Sequence, residues 1–266
     1  MAEFFPSPGG LALFVNAGDP PLDVLDGLVD MLDEAGVDCL ELAVPFPGSV
    51  TDGPVVRRSA DRALAQGVGL TETLAFVARV RPRLRRLRIA LLADWSHSLK
   101  GRPLPEAVAR IADAGVDGLL VHALPPRLGE QYHDAARQAR LPVVTTCYHG
   151  RSAESLAAAA AGASAYVYLV AHYGRSGTAP AAGYADLAGS IARLRERTAA
   201  PVAVGFGVKT RADVAAIHAA GAHAAIVGSA GVARIEQALD RGHDVVARLR
   251  DFVAEIHPVT TPRRAS

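Results

Sequence analysis

One short phrase recurs along the chain and restricts the fold more than any other feature. Ala35-Gly36-Val37-Asp38 leads into Cys39-Leu40-Glu41-Leu42, and Ala114-Gly115-Val116-Asp117 leads into Gly118-Leu119-Leu120-Val121. Ala161-Gly162-Ala163-Ser164 precedes Ala165-Tyr166-Val167-Tyr168-Leu169, and Ala220-Gly221-Ala222-His223 precedes Ala224-Ala225-Ile226-Val227. Each time an amphipathic stretch stops at a glycine, which takes the left-handed conformation that closes a helix, and an apolar run starts within about three residues. Four copies of one helix-to-strand joint imply repeated βα units around a buried parallel sheet.

Apolar runs at Leu11–Val15, Arg88–Leu92, Leu141–Thr146 and Pro201–Val204 bring the expected strands to eight. Helix-like segments follow them, among them Pro21–Glu34, Leu104–Asp113, Ser152–Ala160, Asp186–Arg197 and Arg211–Ala219. Asp19-Pro20-Pro21 has the form of a helix start, with an N-cap acid and proline in the first turn. Ser59–Ala65 reads as an extra helix inserted after the second strand. Eight units favour a closed (β/α)8 TIM barrel, α/β in class, as a single domain over residues 1–257 with a frayed tail at 258–266. An open doubly wound sheet is the alternative. The length of 266 residues suits a barrel, and no linker divides the chain.

Half the residues are apolar and the formal net charge is +1, so no broad field draws the chain to nucleic acid or an anionic membrane. The arginine-rich stretch Arg79–Arg88 reads as a solvated helix end. Cys39 and Cys147 lack metal-ligand spacing, and Cys39 reads as a small buried hydrophobe. Met1–Gly10 has no basic-then-apolar signal pattern and no apolar run spans a bilayer, so the expectation is a soluble cytoplasmic protein.

In a barrel the strand ends form one mouth, which gathers Glu41, Asp52, Asp94, His122, His149, Tyr168 and His172. Residues 40–54 carry the strongest chemical signal there. Glu41 lies inside an apolar strand, and Asp52 follows a stiff turn through Pro45, Pro47 and Gly48, clamped by Gly53 and Pro54. A strand and a loop can give two carboxylates unlike environments, which suits acid–base work. The plainer reading has Glu41 in solvent and Asp52 capping the next helix. Gly205-Phe206-Gly207 follows strand seven, and Gly228-Ser229-Ala230-Gly231 follows strand eight and opens a helix. Paired glycine loops at these positions form the recurrent phosphate site of barrels. Gly174-Arg175-Ser176-Gly177-Thr178, after strand six, is long enough to fold over a ligand.

With these elements in place, the chain resembles the tryptophan synthase alpha subunit family. The match runs from Phe14-Val15-Asn16-Ala17-Gly18-Asp19-Pro20 to Gly228-Ser229-Ala230, and Leu40-Glu41-Leu42-Ala43-Val44-Pro45-Phe46 with Asp52-Gly53-Pro54 is its most specific part. The resemblance implies retro-aldol cleavage of indole-3-glycerol phosphate to indole and glyceraldehyde 3-phosphate, with no metal or organic cofactor. It implies Glu41 as the acid–base residue and Asp52 as the partner of the indole N–H. Tyr168 and Phe206 match the aromatic lining of the indole slot, and Phe14, Asp94 and His122 complete the expected pocket. Gly177, Gly207, Gly228 and Ser229 match phosphate-binding positions, and Ser176 is the hydroxyl residue of the closing loop.

The departures from the family pattern lie in the pocket wall and the partner-facing loops. Pro47-Gly48-Ser49 stands where the family has a Ser-Asp-Pro run that communicates with a beta subunit, and Asp94-Trp95-Ser96 replaces a tyrosine and an asparagine. His122-Ala123 replaces an alanine–aspartate pair, Cys147-Tyr148-His149-Gly150 a proline-rich segment, and His172 an arginine. Three readings follow: a lyase working without an obligate beta partner, a barrel enzyme on a different phosphorylated substrate with a remodelled His/Asp pocket, or a non-catalytic partner that activates a beta-type enzyme. Under the second, Asp94, His122, His149 and His172 could bind a divalent metal or reshape the pocket by hydrogen bonding. Trp95, Tyr148 and Tyr173 could join the pocket or serve only packing and surface roles.

Overall fold

The computed structural model describes residues 4–6, 9–171 and 184–257. The expectations for His172, Tyr173, Ser176, Gly177 and the tail 258–266 lie outside the described residues. Along the chain run β1 (Gly10–Asn16), α1 (Leu22–Glu34), β2 (Cys39–Ala43), α2 (Pro54–Ala65), α3 (Leu70–Val80), β3 (Arg88–Asp94), α4 (Leu104–Asp113), β4 (Gly118–His122) and α5 (Gly129–Gln138). They continue as β5 (Val144–Tyr148), α6 (Ala153–Gly162), β6 (Tyr166–Val170), α7 (Ala188–Arg195), β7 (Val202–Gly205), α8 (Arg211–Ala219), β8 (Ala224–Val227), α9 (Ser229–Asp240) and α10 (Val245–Ile256). The eight strands are parallel in the order β4-β3-β2-β1-β8-β7-β6-β5. The two ends of that order meet: Leu119 bridges Val143, and its N–H donates to the Pro142 carbonyl at 2.9 Å. The sheet is therefore a nearly closed (β/α)8 barrel in a single domain, and the open doubly wound alternative is set aside.

Gly36, Gly115 and Gly221 take the left-handed conformation expected of the recurring phrase, whereas Gly162 is the last residue of α6. The phrase also has a second function that its glycine does not reveal. Its fourth residue reaches the start of the preceding strand and accepts a backbone N–H there. Leu11 donates to Asp38 Oδ2 at 2.9 Å, Ile89 to Asp117 Oδ2 at 2.9 Å, Val143 to Ser164 Oγ at 2.8 Å and Val202 to His223 Nδ1 at 3.0 Å. The return bonds are also alike, since the N–H of Asp38, Asp117, Ser164 and His223 donates to the carbonyl of Leu11, Ile89, Val143 and Val202. Three side-chain types thus perform one task in four copies, joining the strands in the pairs β1–β2, β3–β4, β5–β6 and β7–β8. A buried N–H without a partner is costly, so this reciprocal pair fixes where each odd strand begins.

The lower barrel is filled by three aromatics. Ala12, Cys39, Ala90, Ala203 and Ala224 point inward and are small, leaving room for Phe4, Phe5 and Tyr166. The Phe4 and Phe5 rings stand 5.3 Å and 5.4 Å from Tyr166, in tilted and edge-on contact. Gly10 and Gly118 admit them closely, because a Cβ there would lie 2.9 Å from Phe5 and 2.8 Å from Phe4.

Several local expectations need correction. Asp19 does not cap α1, whose N-cap is Pro21. Instead Asp19 is buried and accepts a two-point bond from Arg62, with both contacts at 2.8 Å. The inserted helix begins at Pro54, not Ser59, because proline at its first position and extended Gly53 before it suit a helix start. The fifth strand starts three residues later than expected and ends two residues later: Pro142 has no N–H to give to a ladder. The arginine stretch is not merely solvated. Arg79 and Arg83 pair with Asp26, Arg83 also with Asp30, and Arg81 and Arg88 with Asp117. Asp33 accepts from the N–H groups of Arg85, Arg86 and Leu87, the last at 2.6 Å. Burial pulls that carboxyl upward, but the three backbone donors outweigh it and hold it below its ordinary value. Cys39 is fully buried, as expected.

Asp117→Ala should lower the unfolding free energy by about 2 kcal/mol, since a hydrogen bond to a charged group typically contributes about 1.5–3 kcal/mol. Ser164→Ala should lose about 1 kcal/mol by the same logic for a neutral acceptor. Urea unfolding of the two variants checks both values, and an unchanged midpoint for Asp117→Ala would show that the joint is not structural.

Candidate functional site

The mouth at the C-terminal ends of the strands holds a cavity of about 150 Å³. Phe14, Tyr168, Phe206, Asp52, Asp94 and His122 all line it, and so do Gly207, Gly228 and Ser229. The residues expected to line the substrate slot and the phosphate turns are thus brought to one place, as far as they are described. Asp52 arrives there on the loop between β2 and α2, which opens with the Val44 N–H donating to the Leu92 carbonyl at 2.9 Å and so extends the sheet by one residue. Burial raises the Asp52 carboxyl above its ordinary value, against a hydrogen bond from Ser49 and the charges of His122 and Arg57.

Glu41 lies one layer lower than expected. It does not line the cavity, whereas Ala43, two residues on along the same inward face of β2, does. The Glu41 side chain is 0 % exposed, Oε1 accepts from the Tyr166 hydroxyl at 2.6 Å, and Oε2 has no hydrogen-bond partner among the described residues. Burial pushes its pKa up to about 7, with the Tyr166 hydrogen bond opposing the rise. Tyr168 stands between the layers: burial drives its hydroxyl pKa well up, and the charges of both Glu41 and Asp52 add to the shift. It fits because residue 205 is glycine, where a Cβ would fall 2.5 Å from the Tyr168 hydroxyl.

Across the mouth, β7 ends in a sharp turn. Phe206 takes φ 79° and Gly207 φ 78°, and the strained phenylalanine is held by the Tyr184 hydroxyl, which donates to its carbonyl at 3.2 Å. Its ring stands 6.4 Å from that of Tyr168. Beside it Gly228 is the N-cap of α9 and Ser229 the first helical residue, so unpaired N–H groups and the positive end of the helix dipole meet the cavity.

The remaining sequence candidates separate. Asp94 Oδ1 accepts from the His97 backbone N–H at 3.0 Å and contacts His97 Nδ1 at 2.8 Å, while the His97 ring stacks on Phe46 at 5.1 Å. His149 is away from the cavity, its Nδ1 3.1 Å from Ser190 Oγ. Trp95 packs against the core and not on the cavity, whereas Tyr148 lines it. Among the described residues no group of three or more His, Cys, Asp or Glu could hold a metal ion, and no helix is long and apolar enough to cross a membrane. Tyr166 is the hydrogen-bond partner of Glu41 that the sequence reading missed. Strand alternation was the available signal, since residues 41 and 166 both fall on inward positions.

Fold and mouth together define a (β/α)8-barrel with an acid-bearing aromatic slot and two glycine turns at its C-terminal face. A family model described as tryptophan synthase alpha chain matches residues 6–260, and the chain belongs to that family. The alpha chain of Burkholderia mallei (strain NCTC 10229) is 35% identical over 247 residues, covering 93% of this chain and 89% of that one. That of Burkholderia thailandensis is 35% identical over 245 residues. The alpha-subunit structure from the hyperthermophile Pyrococcus furiosus superposes with a TM-score of 0.83 at 28% identity, covering 94% of this chain and 98% of that one. Membership brings lyase-type chemistry at the family level.

The elevated Glu41 pKa makes stability depend on pH. An acid whose pKa is about 7 folded and near 4.5 unfolded leaves the folded state holding the extra proton between those values. Its stabilising contribution is therefore complete below about pH 4.5 and is lost as pH rises through about 7. Glu41→Gln should match the parent near pH 4.5 and be more stable at pH 8.5, by on the order of 3 kcal/mol. Thermal unfolding at the two pH values checks this, and a pH-independent difference would show that Glu41 is not held neutral.

Proposed function

We propose that the protein cleaves indole-3-glycerol phosphate to indole and glyceraldehyde 3-phosphate, with Glu41 as the acid–base residue and Asp52 at the indole nitrogen. One observation carries this reading: a carboxyl group with a pKa raised to about 7 lies beneath an aromatic slot that ends at a helix N-terminus. A flat apolar ring suits Phe14, Leu92, Tyr168 and Phe206, and a phosphate suits Gly207, Gly228 and Ser229. Ser176 and Gly177 would complete the grip from the strand-six loop.

The chemistry balances on one carboxyl group. Protonated Glu41 gives its proton to indole C3, which leaves a cationic ring nitrogen. Asp52 holds that N–H, and its charge stabilises the cation more than the neutral substrate. Glu41, now a carboxylate, takes the proton of the hydroxyl next to the breaking bond. The carbon–carbon bond electrons return to the ring as the aldehyde forms, and Glu41 ends protonated. To act, its side chain must rotate upward and release Tyr166. The family implies a beta-type partner, but the replaced Pro47-Gly48-Ser49 loop favours a chain that works without obligate dependence on one.

Purified protein mixed with indole-3-glycerol phosphate should release free indole, and no indole either alone or with an added beta chain would end the proposal. Glu41→Gln should keep substrate binding and lose at least about 10²–10⁴-fold in turnover, the usual contribution of a general acid or base.

The pH profile of kcat/KM should be a bell. Its upper limb lies near pH 7, where the Glu41 proton is lost, and its lower limb falls where Asp52 becomes protonated, above the ordinary aspartate range. Tyr166→Phe removes the donor that favours the carboxylate and should move the upper limb to higher pH. An unmoved limb would detach Glu41 from it.

A further inference from the structure

The mechanism leaves one side of the cavity unused, and that side is polar. In the closed strand order β8 faces β4 and β7 faces β3 across the barrel. A substrate held by phosphate at Gly207, Gly228 and Ser229 therefore directs its aromatic end toward β3, β4 and β5. There the walls are Leu92 and Leu120 below, with Asp94, His122, Thr146 and Tyr148 around the rim. Asp94 and His122 are register partners at the ends of β3 and β4, so their side chains project to the same face.

Asp94 is pre-organised. Both His97 contacts fall on Oδ1, which leaves Oδ2 for the cavity that Asp94 lines. The His122 ring is half-buried, feels the Asp52 charge, and makes no hydrogen bond to any described residue. An unsubstituted benzo ring offers neither group a partner, and stacking it there would strip both of water without replacement. A ring hydroxyl answers both, because its proton can go to the carboxylate while its oxygen accepts from an imidazole N–H.

We propose that Asp94 and His122 form a specificity subsite for a hydroxyl group on the six-membered ring, so that the preferred substrate is a ring-hydroxylated indole-3-glycerol phosphate. This rests on the lyase reading above. It assigns the reaction a place after one that builds the glycerol phosphate onto an already hydroxylated aromatic, or hydroxylates that aromatic.

The test compares kcat/KM of the purified protein on unsubstituted, hydroxylated and methylated indole-3-glycerol phosphates, with the substituent at each six-membered-ring position. The methyl group fills similar space without hydrogen bonding. At least one hydroxylated substrate should exceed both its methyl isostere and the unsubstituted compound by about tenfold or more, as expected where polar groups are otherwise left unpaired. His122→Ala and Asp94→Asn should each bring the hydroxyl-to-methyl ratio toward one. A ratio near or below one at every position in the parent protein overturns the subsite. Calorimetric titration with free hydroxyindole and indole separates the two levels. Tighter hydroxyindole binding without cleavage of any substrate upholds the subsite and overturns the lyase reading. Cleavage without any preference does the reverse.

Discussion

The Tyr166–Glu41 hydrogen bond couples the packing of this barrel to its chemistry. Glu41 is surrounded by protein on every side, and an ionised carboxylate there would need more than the one donor it receives. The acid therefore holds its proton to about pH 7. Tyr166 can supply that donor only because Phe4 and Phe5 brace its ring from below, and those rings fit only because Gly10, Gly118 and the small inward residues make room. A strand position that looks like a packing detail thus moderates the rise that burial imposes on the acid's pKa.

The opposite end of the barrel is organised on the reverse principle. At the N-terminal ends of the strands, polar side chains are satisfied by backbone: Asp38, Asp117, Ser164 and His223 each accept one N–H at the start of a neighbouring strand. At the mouth, Asp52, Asp94 and His122 keep part of their hydrogen-bonding capacity directed at the cavity. This division follows from topology. The joints that set strand starts lie at one face and the longer, variable loops at the other, so substitutions at the mouth leave the strand pairing untouched.

Much of this was legible in the sequence, and the limits of that reading have physical causes. The four-fold phrase indicated the parallel barrel because its glycine and apolar run are local signals. Its polar fourth position was invisible as a strand cap, since Asp, Ser and His share only the ability to accept a hydrogen bond. Asp19 was misread because a helix N-cap and a buried ion-pair partner look identical until Arg62, 43 residues away, is placed beside it. Pro54 was misread because proline marks both loops and first helical turns. Most residues expected at the mouth line one cavity, Glu41 and His149 excepted, because barrel topology alone brings strand ends together. The depth of Glu41 was not legible, because it depends on which neighbour offers a hydrogen bond inside the barrel.

The two carboxylates therefore differ in more than pKa. Asp52 sits on a loop, touches the cavity and is moderated by Ser49, His122 and Arg57. Glu41 sits on a strand, its moderating partner among the described residues is Tyr166, and in the proposed reaction it would break that bond before reaching a substrate. A hydrogen bond to a charged acceptor is stronger than one to a neutral acid, so the restraint tightens when Glu41 ionises and relaxes when it is protonated. In the proposed reaction, the form that donates the proton is thus also the form most easily released toward the mouth. On that reading, conformational freedom and chemical competence are coupled through one tyrosine hydroxyl.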